Sequence, residues 1–313
     1  MSSKVDLITK TLLDMCIAGH SNAYKSSYWE HYTKKFRFNK NKVSGISAFS
    51  PRSKRFPCSD AYHRLLQALN FEEIAIPTHS RWYKLAQYCS NKQNRSFDLD
   101  LLRQVFTLEL LEDLLSLREI ENICIIGDGQ ANFASLAIHS DSFRKIISIN
   151  LPEVLLSDWE LITLLDHGEG GSQVLTNAAE MDDFFANKKR FGMVQASDWQ
   201  ILLNQPIDLF VNIVSFGEMT HSSIMNYFKI IKSTTKGAFL YCCNRREKRL
   251  PGGEITRFSE YPWQGFSHIM LDEPCPWHQN LYATKRSRFF PFPIVRRPYD
   301  GIIDHRLVSY PSV

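Results

Sequence analysis

Between residues 120 and 245 the chain switches repeatedly between short apolar runs and stretches of helical spacing, and no other feature restricts its fold so strongly. The runs are Ile123–Ile126, Ile146–Ile149, Phe191–Gln195, Asp208–Val214 and Gly237–Cys242; the helical segments among them are Asn132–His139, Asp158–His167 and Ser222–Ser233. Short apolar runs mark strands buried on both faces. When such strands alternate with helices they form a parallel sheet, because each crossover needs a helix to return the chain. A longer helix opens the series at Asp98, with Leu99, Leu102, Val105, Phe106, Leu110, Leu114 and Leu117 on its apolar side. Ser157 followed by Glu160 matches a capping box before the third helix, and Gly168 is placed to end that helix. After the last run come a polar loop, Asn244–Pro262, and two strand candidates, Ser267–Leu271 and Asn280–Lys285. Too few residues separate these two for a crossover helix, so they are expected to pair antiparallel. The fold class expected is α/β, a parallel sheet with a terminal antiparallel strand pair.

A chain of 313 residues, 44% hydrophobic and 22% charged, buries one substantial core and has length left for an accessory region. Residues 1–97 read as a mostly helical N-terminal subdomain, residues 98–290 as the sheet domain and 291–313 as a C-terminal extension. In the first, Ala61–Leu69 and Trp82–Ser90 have helical spacing, breakers stand at Ser50-Pro51-Arg52-Ser53 and Pro57, and the aromatic stretch Tyr28–Lys42 is suited to covering a site. A formal charge of +4 is too small for a nucleic-acid partner to be expected. Seven cysteines, an odd number without a CxxC pair, suit a reducing cytoplasm. Asp6, Lys10 and Asp14 interrupt the first apolar positions, so neither a signal peptide nor membrane insertion is expected.

Ile126-Gly127-Asp128-Gly129-Gln130-Ala131 joins the first apolar run to the next helix, and two glycines there let the backbone approach a nucleotide-type ligand. A dinucleotide site asks for a third glycine where Asn132 stands and an acid about 20 residues on, where the chain has Asn150. NAD is therefore disfavoured. Ile123–Ile138, Ile146-Ile147-Ser148-Ile149-Asn150-Leu151-Pro152-Glu153 and Asp208–Met219, with its Ser215-Phe216-Gly217-Glu218-Met219 segment, together resemble the sugar O-methyltransferases of bacterial polysaccharide clusters. The resemblance covers about residues 98–290. It implies a Rossmann-like class I methyltransferase sheet, S-adenosylmethionine as cofactor and a sugar hydroxyl as acceptor. Residue by residue, it implies cofactor contacts from Gly127, Asp128, Gly129 and Gln130, from Asn150 and Leu151 at the ribose, from Ser197-Asp198-Trp199 at the adenine, and from Ser215. The acids usual in this class are replaced by Ile125 and Asn150, which leaves open a noncatalytic binding or scaffold protein; methylation of RNA or of another nitrogen acceptor is the other alternative.

Methyl transfer to a hydroxyl requires alignment and removal of one proton. Ligands of open α/β sheets sit beyond the carboxyl ends of the strands, which directs attention to Glu218 and His221, three apart at the start of a helix, with Phe216 beside them. His278, in a turn beside Trp277, is a second candidate base. Tyr241 and Asn244 leave the next strand toward the same rim and are candidate acceptor contacts. Arg245, in the basic run Arg245-Arg246-Glu247-Lys248-Arg249, would suit an anionic acceptor. The spacing of His268, Cys275 and His278 matches no standard zinc site, so no metal is expected.

Overall fold

The structure, a computed structural model, describes residues 2–18, 25–39, 42–44, 58–71, 73–165, 171–284 and 294–312. The breakers at 50–53 and 57 and the helix stop at Gly168 lie outside the described residues. Among the described residues the N-terminal region is helical apart from one small hairpin: α1 (Ser2–Ala18), α2 (Ser27–Thr33), β1 (Arg37–Asn39), β2 (Lys42–Ser44), α3 (Ser59–Asn70) and α4 (Arg81–Lys92) lead into α5 (Leu99–Leu114), which Asp98 caps by accepting from Leu101 N–H. The alternating part then runs β3 (Asn122–Ile126), α6 (Asn132–His139), β4 (Lys145–Asn150), α7 (Pro152–Ile162), β5 (Ser172–Leu175), α8 (Ala178–Ala186), β6 (Phe191–Gln195), β7 (Leu209–Ile213), α9 (His221–Lys232) and β8 (Ala238–Arg245). A hairpin of β9 (Glu247–Arg249) and β10 (Ile255–Arg257), then β11 (His268–Pro274), β12 (Asn280–Thr284), β13 (Ile294–Pro298) and β14 (Ile303–Tyr310), complete it.

The main sheet has eight strands in the order β11-β14-β8-β7-β3-β4-β6-β5. It is Rossmann-like: β5, β6, β4, β3, β7 and β8 pair parallel, while β14 pairs antiparallel with both β8 and β11. Side chains alternate between two cores, as a pleated strand requires. Ile123, Ile125, Ile146, Leu209 and Val211 face a cluster that includes α5, α6 and α7, whereas Cys124, Ile126, Ile147, Ile149 and Phe210 face one that includes α8 and α9. Both faces are covered, which is why the runs are predominantly apolar rather than alternating.

Four expectations change. The antiparallel pair exists, but β11 takes β14 as its partner, while β12 pairs with β13 in a separate ribbon. The sheet therefore runs beyond residue 290 and places a strand from the stretch read as an extension between β8 and β11. Helix α7 begins at Pro152, because proline at a first helical turn lacks only an N–H that would be unpaired there anyway. Ser157 is then a buried interior residue rather than a cap. Strand β5 and helix α8 were not foreseen: β5 has four residues, three of them only half-buried at the sheet edge, so no apolar run betrays it. The supposed loop after β8 contains the β9–β10 hairpin.

Candidate functional site

A cavity of about 700 Å³ opens at the carboxyl ends of β3, β4 and β7, and Ile126, Gly127, Asn150 and Val214 lie in its floor. Here the chain leaves β3 for β4 on one side and later returns to β7 on the other, the switch point where a doubly wound sheet leaves room for a ligand. Gly127 has φ +77°, and a Cβ on it would come 2.3 Å from Ser215 Oγ. Glycine is thus required by the neighbouring strand end as well as by any ligand. Ser215 Oγ donates to Ile126 C=O at 3.0 Å, and Asn212 Nδ2 donates to the same carbonyl at 2.9 Å, so the loops after β3 and β7 are tied together. Val214 sits at φ +55°, a region costly for a β-branched residue, where Cys243 C=O accepts its N–H.

The rest of the glycine loop is also held against its preference. Gln130 and Ala131 have φ of +70° and +49°. Asp158 accepts the Ala131 N–H, and the Asp128 carboxyl accepts the Phe133 and Ala134 N–H groups at 2.9 and 2.6 Å, capping α6. Burial pushes the Asp128 carboxyl up to about 7, against the pull of those N–H donors and of Arg95. Asn150 turns its Oδ1 onto its own chain, accepting Leu151 N–H at 2.9 Å. Glu153, one turn on, is buried against Lys25 Nζ at 2.5 Å.

The opposite wall comes from distant segments. Ser26 caps α2 and donates to Glu218 C=O, and Trp29 packs with Phe36, Leu151 and Val154, which lays α2 across the site. Lys248 Nζ lies 2.6 Å from Glu218 Oε1 and 4.3 Å from the centre of the Tyr28 ring. Burial lowers the Lys248 pKa against the opposing pull of Glu218. Tyr299 sits between two guanidinium groups, those of Arg245 at 5.0 Å and Arg103 at 5.6 Å. Each of these is itself fixed, Arg245 by Asp300 and Arg103 by Asp100 and the carbonyls of Trp277 and Asn280.

Of the residues singled out in the sequence, Gly127, Asp128, Gly129, Asn150, Ser215, Glu218, Arg245 and His278 line this cavity. Gln130, Leu151, Ser197, Asp198 and Trp199 do not. Leu151 is buried against Trp29, and Asp198 accepts from Gln195 Nε2 while Trp199 packs on the α9 side. His221 is exposed at the start of α9, and the partner of Glu218 is Lys248 instead. Phe216, Tyr241 and Asn244 are fully buried rather than at the rim: Phe216 packs on Tyr227, Phe228 and Tyr261, Tyr241 bonds His305, and Asn244 braces Asn212 and Gly217 N–H. Arg246 and Lys248 of the basic run are neutralised by Asp304 and Glu218. Tyr28, Arg103, Lys248 and Tyr299 are the wall residues that the sequence did not assign. Of these, Tyr28 and Lys248 carry a signal, the one in an aromatic stretch and the other in the basic run.

No family model and no curated protein matches the chain. Among solved structures it is similar to the N-methyltransferase NodS from Bradyrhizobium japonicum WM9, with 14% identity and a TM-score of 0.40 over 66% of this chain and 97% of that one. The same protein in complex with S-adenosyl-L-homocysteine gives 13% and 0.39 over 73% and 99%. A Thermoplasma acidophilum protein gives 10% and 0.41 over 74% and 98%. At such identities the choice of reaction and substrate has to come from the residues of the site.

Proposed function

We propose that the chain is an S-adenosylmethionine-dependent methyltransferase that methylates a hydroxyl of a neutral, sugar-containing acceptor. The observation that carries this reading is one cavity running from the Gly127 loop to a wall of Tyr28, Glu218, Lys248 and Tyr299. Its volume lies in the range of small-molecule and cofactor sites. The sequence resemblance supports the cofactor, and the residues present fit it. Gly127 and Gly129 leave the backbone open to a nucleoside, and Asn150, with Oδ1 engaged, has its Nδ2 to donate to a ribose hydroxyl. The cofactor supplies an electrophilic methyl group; the chain aligns the acceptor and removes its proton. Glu218 is the carboxylate in the wall for that proton, and Lys248 holds it in place. Tyr28 in the lining is an aromatic ring of the kind on which a sugar stacks.

Charge argues for a neutral acceptor. Three cations of the lining are each paired with an acid of the lining: Arg103 with Asp100, Arg245 with Asp300 and Lys248 with Glu218. Such a balance offers no track for a phosphate backbone, which needs several cations with no acids beside them. The replacement of the ribose acid by Asn150, with Glu153 committed to Lys25, favours the noncatalytic alternative, and one experiment separates the two. Calorimetric titration should show binding of S-adenosylhomocysteine, and labelled methyl should pass from S-adenosylmethionine to a hydroxyl in a panel of sugars. No binding at millimolar cofactor ends the methyltransferase reading; binding without transfer to any sugar, nucleoside or amine leaves the scaffold.

A further inference from the structure

The fold brings three buried side chains together that the sequence keeps apart. Cys243 comes from β8, while Cys275 and His278 flank the turn after β11. His278 Nδ1 lies 3.3 Å from Cys275 Sγ and 3.6 Å from Cys243 Sγ, and the three ligand atoms lie within 4.8 Å of one another. The Cys243 ligand stands 35 residues before His278, which is why spacing alone gave no metal site. Hydrogen bonding by itself serves this arrangement poorly. A single imidazole nitrogen of a neutral ring either donates once or accepts, so it cannot hold both thiols in equivalent hydrogen bonds.

A metal ion satisfies all three. In tetrahedral zinc, Zn–S of about 2.3 Å and Zn–N of about 2.0–2.1 Å put sulfur and nitrogen about 3.5 Å apart, and the two observed separations bracket that value. Two thiolates and one Zn²⁺ also sum to zero charge, so the buried site carries no unpaired ion. We propose that Cys243, Cys275 and His278 bind one zinc ion. On binding, each thiol gives up its proton to solvent while two Zn–S bonds form; no electrons change hands. Tyr241, whose hydroxyl lies beside Cys243 and 3.1 Å from His305 Nδ1, adjoins the three ligands. The ion ties β8 to the turn that carries His278 onto the cavity wall. This site stands whether or not the chain transfers methyl groups.

The test is metal analysis of the full chain after incubation with excess Zn²⁺ under reducing conditions, followed by removal of free metal. Stoichiometric zinc is expected in the wild type and in Cys58→Ser, an exposed cysteine elsewhere, with loss in Cys243→Ser and Cys275→Ser. Since either buried variant could fail to fold, the wild type is also loaded with Co²⁺. Thiolate-to-cobalt charge transfer together with the strong visible bands of a tetrahedral ion is the expected spectrum. A wild type that holds no zinc, a cobalt spectrum without thiolate bands, a Cys243–Cys275 disulfide that persists under these conditions, or full zinc content in both buried variants would each overturn the site.

Discussion

The wall of the cavity around Gly127 is made from strand ends and the loops that follow them directly, whereas the facing wall is gathered around Glu218, at the far end of the loop after β7, from α2, α5, the β9 hairpin and the 299–300 stretch. On the first side, Asn150 and Ser215 stand next to the strands that position them, and short bonds to Ile126 and Leu151 hold them. On the second, Ser26 reaches a carbonyl 192 residues away and Lys25 a carboxylate 128 away. One wall is a property of the sheet; the other is a property of how distant segments close over it. Damage to the first should therefore appear in cofactor affinity and stability, and damage to the second in turnover.

The largest separation of the two is expected from Glu218→Gln. It should lower kcat by about 10²–10⁴-fold, the usual worth of a general base, while calorimetry finds S-adenosylhomocysteine affinity unchanged; a matching loss of affinity would mean that the walls are not separable. Gly127→Ala should do the reverse. Its φ of +77° and the approach to Ser215 place the cost at about 2–4 kcal/mol of stability in denaturant unfolding, with weakened cofactor binding. Asp128 gives a pH signature on the same side. Its carboxyl titrates near 7 in the folded chain and near 4 when unfolded, so between these values the folded state holds the extra proton and stability falls as pH rises. The slope, at most about 1.4 kcal/mol per pH unit, should vanish in Asp128→Asn. The least effect is expected of His221→Ala, exposed and away from the cavity, whose kcat should match the wild type.

What could be read in the sequence follows the same division. The strand runs and the glycine turn were legible because burial on both faces and a positive φ leave marks on adjacent residues. Ser157 misleads because a cap-like pair can also fall inside a helix, while the true start is marked by Pro152 at the first turn. Tyr241 and Asn244 misled for another reason. Both lie within β8, which runs on to Arg245 beside β14 and is buried there, and no residue near 241 announces a partner near 307. Arg103 and Tyr299 had no visible signal at all, since an arginine in an amphipathic helix and a tyrosine after a proline are ordinary until they meet.

The pairing of β11 with β14 has a consequence for how this site could diversify. Pro274 and Asp304 face each other in register, and Cys275 N–H donates to Ile303 C=O, so the chain leaves the sheet and re-enters it at one point. The wall residues His278, Tyr299 and Asp300 stand on the described parts of that excursion, whose two ends are clamped together. Cys275 and Trp277 are anchored in the core beneath the sheet, so change is confined to the sequence beyond Gln279, where it leaves the register of β11 with β14 intact. Such change would reshape one wall of the cavity while leaving the Gly127 floor untouched.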